Sequence, residues 1–242
     1  MKYDQYPDIH EFYDGLNKLG ISLSEKQLQQ FVDYYELLVE KNKVMNLTAI
    51  TEFKEVIIKH FIDSLSIVKC GTLTKEKVLD VGTGAGFPGI PLKILYPEID
   101  LVLLDSLNKR LVFLNEVIEK LGLEKVKTLH GRAEDFAKLV EHREKYDLCV
   151  SRAVAKLSSL AEYCLPYVKK DGFFISYKSG KVEEELSFSQ NALKILGGKL
   201  DQVKEFTLPD TDIERTLVVI RKISITPKNY PRSAGKPSKE PL

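Results

Sequence analysis

The residues best suited to chemistry begin at Val78-Leu79-Asp80-Val81-Gly82-Thr83-Gly84-Ala85-Gly86-Phe87-Pro88-Gly89, an apolar run that breaks into glycines. Four of the chain's 14 glycines fall in the last eight of these positions. Glycines allow a sharp turn and let a ligand lie close to the backbone, and the helix start that follows presents N–H groups. Two nucleoside cofactors use such a loop. A dinucleotide sets its pyrophosphate there. S-adenosylmethionine packs its amino-acid part there, with N–H groups facing its carboxylate.

Both readings find their pattern. Gly84-x-Gly86-x-x-Gly89 satisfies the dinucleotide spacing, although Pro88 falls inside it. Gly82-x-Gly84-x-Gly86, with Asp80 two residues ahead, satisfies the methyltransferase spacing. Asp105 ends the next strand-like run, where an acid holds ribose hydroxyls in either case. A third run leads into His130-Gly131-Arg132-Ala133-Glu134-Asp135. Glu134 or Asp135 can reach an adenine amine there, or can simply favour the start of a helix through its macrodipole.

Other chemistries lack their residues. No Ser-His-Asp set, Cys-x-x-Cys pair or helical pair of metal-spaced histidines is present; the histidines are His10, His60, His130 and His142. No metal is expected. His60 and Asp63, three apart, share a helix face and can hydrogen-bond. Ser151-Arg152-Ala153-Val154 stands where enzymes that methylate exocyclic amines carry Asn/Asp-Pro-Pro-aromatic. Cys149 lies in the apolar strand Leu148-Cys149-Val150 and reads as a structural thiol.

These residues need a frame. Ile9, Phe12, Tyr13, Leu16 and Leu19 recur at helical spacing up to Gly20. Ser24 and Gln27 form a capping box for a second helix. Asn46-Leu47-Thr48 breaks the pattern, and Thr51 is expected to cap a third helix through Leu65. From Lys77, five strand-like runs alternate with helical ones, which predicts a parallel sheet covered on both faces. Lys199–Phe206 and Arg215–Ile223 then read as a closing hairpin across Pro209 and Asp210.

Composition bounds the class. The formal net charge is +1, and 43% of residues are hydrophobic against 29% charged, an ordinary globular balance. No apolar run exceeds four residues, so no membrane span or secretory leader is expected. Cys70, Cys149 and Cys164 read as reduced thiols in a cytoplasm. From Arg221 onward, six Lys and Arg face one acid among four prolines. That tail buries too little to fold alone. It reads either as a polyanion contact or as a solvated end.

In order along the chain, Asn46-Leu47-Thr48, His60–Leu65, Asp80–Gly89, Leu104-Asp105-Ser106, Lys109-Arg110, Gly131–Glu134, Ser151-Arg152-Ala153 and Lys178-Ser179-Gly180 resemble the RsmG (GidB) family, the guanine-N7 methyltransferases of 16S ribosomal RNA. The resemblance covers residues 40 to 223. It implies an α/β class I S-adenosylmethionine-dependent methyltransferase fold, Rossmann-like, with a seven-stranded sheet whose last strand is antiparallel. A helical extension over 1–71, the methyltransferase domain over 72–223 and a basic tail over 224–242 follow. It implies cofactor contacts at Gly82, Gly84, Phe87, Asp105, Ser106, Ala133, Glu134 and Arg152, with Arg152 and Lys178 as positioning candidates and no general base. Lys178, Arg110, Arg132, Lys228, Arg232 and Lys236 are expected to face RNA. The implied partner is 16S rRNA or the 30S subunit, met by a cytoplasmic monomer. Removing the tail is expected to spare cofactor affinity. An NAD-dependent oxidoreductase and a non-catalytic RNA-binding protein are the alternatives.

Overall fold

A computed structural model describes Tyr6, residues 8–152 and residues 155–242. Ala153 and Val154, in the Ser-Arg-Ala motif, lie outside the described residues.

Five parallel strands form the centre: β1 (Lys77–Val81), β2 (Asp100–Asp105), β3 (Val126–His130), β4 (Tyr146–Arg152) and β5 (Val168–Ser179). The hairpin of β6 (Gly198–Thr207) and β7 (Glu214–Lys222) completes the sheet in the order β3-β2-β1-β4-β5-β7-β6. Only β7 runs against its neighbours β5 and β6, as expected.

The strands alternate between two cores, which is why they read as nearly continuous apolar runs. Val78, Leu101, Leu103, Leu148 and Val150 enter one core; Leu79, Val102, Leu104 and Cys149 enter the other. The first face carries α1 (Ile9–Lys18), α2 (Glu25–Met45), α5 (Gly89–Leu95), α6 (Asn108–Lys120) and the helical run between α2 and β1. Phe12, Leu16, Phe31, Leu38, Phe61 and Leu65 join the same core as these strand residues. The second face carries α7 (Ala133–Phe136), α8 (Leu157–Cys164) and α9 (Glu183–Leu196).

The capping box forms: Ser24 and Gln27 exchange bonds at the start of α2, and Asn46 ends it in the left-handed region. Thr51 does not cap the next helix. Glu52 holds the cap position of α3 (Phe53–Val56) without a side-chain bond, and the Thr51 carbonyl accepts from the Tyr35 hydroxyl. The run then widens into a π-helical turn over Ile57–Ile62 before α4 (Asp63–Leu65). Such widened turns recur at functional sites.

The tail is folded onto the second face. Glu162, fully buried on α8, accepts the backbone N–H of Arg232 at 2.8 Å and its guanidinium at 2.6–3.1 Å. Arg143 donates to the carbonyls of Thr226 and Tyr230, and Ser159 to that of Pro237. Hydrogen bonds and an ion pair hold it there, and Tyr230 and Leu242 pack against the second core. Within 224–242, α10 (Lys236–Lys239) is the last element.

Candidate active site

A cavity of about 510 Å³ opens at the carboxyl ends of β1 to β4, the rim where α/β sheets bind ligands. The glycine loop forms its floor. Gly86 has φ +102°, and a Cβ there would meet the Tyr34 hydroxyl at 2.6 Å. That hydroxyl, brought by α2, donates to the Ala85 carbonyl. A Cβ on Gly89 would meet Leu103 at 2.5 Å and the Asp80 carboxylate at 2.8 Å. Gly84 (φ +62°) faces open space, so its backbone stays accessible to a ligand.

Asp80 sits beneath this loop, fully buried. Its Oδ2 accepts from the Thr83 hydroxyl at 2.7 Å and the Gly89 N–H at 2.9 Å; Oδ1 has no hydrogen-bond partner among the described residues. Burial raises its carboxyl to about 6. The expectation of a free helix start is corrected here. Asp80 takes the Gly89 N–H, so its task is to hold the loop shut.

One end of the cavity is acidic. Asp105, 3% exposed, accepts from the N–H of Gly84 at 2.9 Å and of Leu107 at 2.9 Å. Arg110 reaches it at 3.2 Å. Arg110 is thus a cavity residue paired to an acid, not a free phosphate contact. Ser106, Gly131, Arg132, Ala133 and Glu134 line the same end with Tyr163, which no sequence signal pointed out. The Ala133 carbonyl accepts from Tyr167. One Glu134 oxygen accepts the Gly235 N–H at 2.8 Å, so the tail reaches the cavity wall.

The other end is cationic and aromatic. Arg152 donates to Asp63 Oδ2 at 3.1 Å and to the Lys59 carbonyl at 3.1 Å, and meets His60 Nδ1 at 3.3 Å. Its guanidinium lies 5.1 Å from the centre of the Phe87 ring, which stacks on His60 at 4.4 Å. His60 and Asp63 therefore meet through Arg152. Asp63, 5% exposed at its side chain, also accepts Arg215 Nε at 2.9 Å. Neither that bridge nor Arg215 was visible in the sequence, since Arg215 sits 152 positions from its partner. Burial, then the neighbouring Arg152 charge, lowers His60 to about 4, so the ring is neutral near pH 7. Leu47 and Thr48 complete this end.

Several expected RNA contacts are elsewhere. Lys178 is bonded to the Ala155 carbonyl at 2.8 Å and Glu185 at 2.7 Å, with its side chain only 12% exposed. Arg232 is spent on Glu162. Lys236 lies 3.6 Å from Glu240, and Lys228 is exposed. Arg132 alone of these cations is both exposed and on the cavity rim. The chain's one Tyr-x-x-x-Lys spacing, Tyr177 and Lys181, does not serve hydride transfer. Tyr177 is buried and donates to the Ser64 carbonyl. Cys149 is fully buried, and burial pushes its thiol up.

The residues fit S-adenosylmethionine: open backbone over Gly84, a buried acid for a ribose, and a second acid, Glu134, for an amine. Comparisons agree with this frame. The family model for rRNA small subunit methyltransferase G matches residues 27–217. A ribosomal RNA small subunit methyltransferase G of Lachnoclostridium phytofermentans is 59% identical over 97% of this chain and 98% of its own. Its namesake in Clostridium novyi is 50% identical over 96% and 97%. Among solved structures, a precorrin-6y C5,15-methyltransferase from Geobacter metallireducens aligns with TM-score 0.51 at 13% identity, over 75% of this chain and 92% of its own. A ribosomal protein L11 methylase from Lactobacillus delbrueckii aligns at 0.52 and 17%, over 69% and 79%. At those identities the likeness shows the fold: a class I methyltransferase sheet.

Proposed function

The chain belongs to the rRNA small subunit methyltransferase G family, and from that premise we propose that it transfers a methyl group from S-adenosylmethionine to N7 of a guanine in 16S ribosomal RNA. The observation that carries this reading is one cavity with two chemically different ends on the catalytic rim of the sheet. Asp105 accepts from ribose hydroxyls and Glu134 from the adenine amine, with Ser106 and Ala133 between them and Gly82 and Gly84 beneath. The cofactor supplies, when bound, a methyl group activated on a positively charged sulfur.

Guanine N7 is an in-plane lone pair with no proton to lose. The chain therefore needs no general base; His60, at the acceptor end, is neutral and already bonded on both nitrogens. Its residues hold the base in line and exclude water. Leu47 and Phe87 give apolar walls. Arg152, fixed by Asp63, the Lys59 carbonyl and His60, keeps the Phe87 ring in place between cofactor and base. A base reaches such a pocket only when unstacked. Arg132 at the rim and Lys228 on the tail meet phosphates of the RNA that presents it. We read the substrate as the 30S particle or its RNA, and the protein as a cytoplasmic monomer.

The test is mapping of modified nucleotides. Purified protein with labelled S-adenosylmethionine is given naked 16S RNA, assembled 30S subunits and precursor particles. Label at one guanine N7 is expected in at least one of them. Label at an amine or a pyrimidine carbon, or in none of them, overturns the reading.

A further inference from the structure

The acceptor end contains a directed chain of hydrogen bonds that ends at the cavity. Arg152 can only donate. Its fork covers three acceptors, Nη1 on the Lys59 carbonyl and Asp63 Oδ2, each at 3.1 Å, and Nη2 on His60 Nδ1 at 3.3 Å. The Lys59 carbonyl also lies 3.1 Å from Nδ1. A proton on Nδ1 would nevertheless face the Nη2–H, whereas a lone pair there completes the fork. We assign the proton to Nε2, and the lowered pKa of His60 leaves the ring only this one. Nε2–H then donates to Thr48 Oγ1 at 2.9 Å. The Ile50 N–H donates to the same oxygen at 3.0 Å.

A hydroxyl has two lone pairs and one hydrogen. Both lone pairs of Thr48 are occupied, so the hydroxyl can only donate. Thr48 is half-buried and lines the cavity beside Leu47, His60 and Phe87. Asp105 and Glu134 mark the far end for adenosine, so Thr48 stands on the acceptor side.

We propose that the Thr48 hydroxyl donates to O6 of the target guanine and is the residue that selects guanine at this site. The inference rests on the guanine-N7 reading above. Guanine carries O6, an acceptor, next to N7; adenine carries an amine, a donor, at that position. A hydroxyl able only to donate bonds the first and opposes the second. Arg152 and His60 act as positioning residues, because they fix which way Thr48 points its hydrogen.

The test compares two isosteric variants, Thr48→Asn and Thr48→Asp. Either side chain can accept from Ile50 and His60 and keep the turn, but only the amide has a hydrogen left to donate. Small-subunit RNA is prepared with guanosine, inosine or 2-aminopurine riboside at the target position and assembled into particles. Inosine keeps O6; 2-aminopurine lacks it. Wild type is expected to methylate inosine at nearly the guanosine rate and 2-aminopurine about 30-fold more slowly in kcat/KM, within the roughly 10- to 100-fold of a lost base-edge contact. Thr48→Asn is expected to keep that preference. Thr48→Asp is expected to lose guanosine turnover by about 30-fold and to treat inosine and 2-aminopurine alike, with cofactor Kd and Tm near wild type. A Thr48→Asp enzyme that retains the inosine preference overturns the proposal. So does a wild type that methylates guanosine and 2-aminopurine equally. Absence of N7 label with wild type on guanosine refutes the functional reading itself, a result distinct from either.

Discussion

The two ends of the cavity are built in different ways. The end we assign to adenosine comes from consecutive turns after β1, β2 and β3, each following its strand directly. Asp105 bonds the loop 21 residues away, through Gly84, across adjacent strands. The acceptor end is gathered from distant pieces: Arg152 meets Asp63 across 89 positions and Arg215 meets it across 152. The first end is a property of the parallel sheet. The second exists only because the helical extension packs over the rim, so its residues depend on one another more than on the strands that carry them.

The sharpest way to break this contrast is Asp63→Ala. It strands two guanidinium groups that are 13% and 19% exposed, and removal of one partner of a nearly buried pair costs about 3 kcal/mol or more. Chemical denaturation should show that loss, and methyl transfer should fall well over tenfold. Calorimetric affinity for S-adenosylmethionine should fall far less. A collapse of cofactor affinity equal to that of turnover would mean that the ends are not separable.

Arg232→Ala is expected to come next, at about 3 kcal/mol, because it leaves the fully buried Glu162 carboxylate without its charge partner. The tail also bonds Glu134 through Gly235, so truncation after Ile223 should weaken cofactor binding several-fold. That replaces the expectation that the tail is dispensable for the cofactor. Unchanged affinity in the truncated protein would remove the tail from the adenosine end.

Asp105→Asn should act on affinity more than on stability. A neutral amide oxygen can still accept from Gly84, but the charge we propose for the ribose hydroxyls is gone. A cofactor Kd roughly 10- to 100-fold higher is expected, from charged hydrogen bonds worth about 1.5–3 kcal/mol each. A wild-type Kd by titration would contradict the assignment.

The smallest effect separates the acceptor end from the floor by pH. His60 titrates at about 4 in the folded protein, below its ordinary 6.5, so its contribution to stability is present above 6.5 and lost as pH falls through 4. Asp80 titrates at about 6, above its ordinary 3.8. The folded state holds that proton longer than the unfolded chain, so stability is lost as pH rises from 3.8 through 6. In wild type the two oppose each other. Relative to wild type, His60→Gln should lose stability as pH rises from 4 to 6, and Asp80→Asn should gain it. Parallel Tm profiles for all three proteins would refute both assignments.

Much of the acidic end of the cavity was legible beforehand. Gly82 to Gly89, Asp105 and the Gly131–Glu134 turn each follow a strand pattern at a fixed offset. The acceptor residues were only partly legible. Thr48 and His60 stood in motifs without a task, Arg215 carried no signal, and Lys178 and Arg232 read as free cations although Glu185 and the buried Glu162 hold them. A charge in a sequence does not announce its partner.

By itself, the sequence determined the alternating sheet, the bend at the glycines and the acid that ends β2, because period-two burial and backbone permissiveness act over a few residues. Tertiary structure alone decided that Asp63 would join Arg152 to Arg215 and that Glu162 would capture the tail. Those pairings depend on which surfaces meet when distant segments pack, and no local period encodes that.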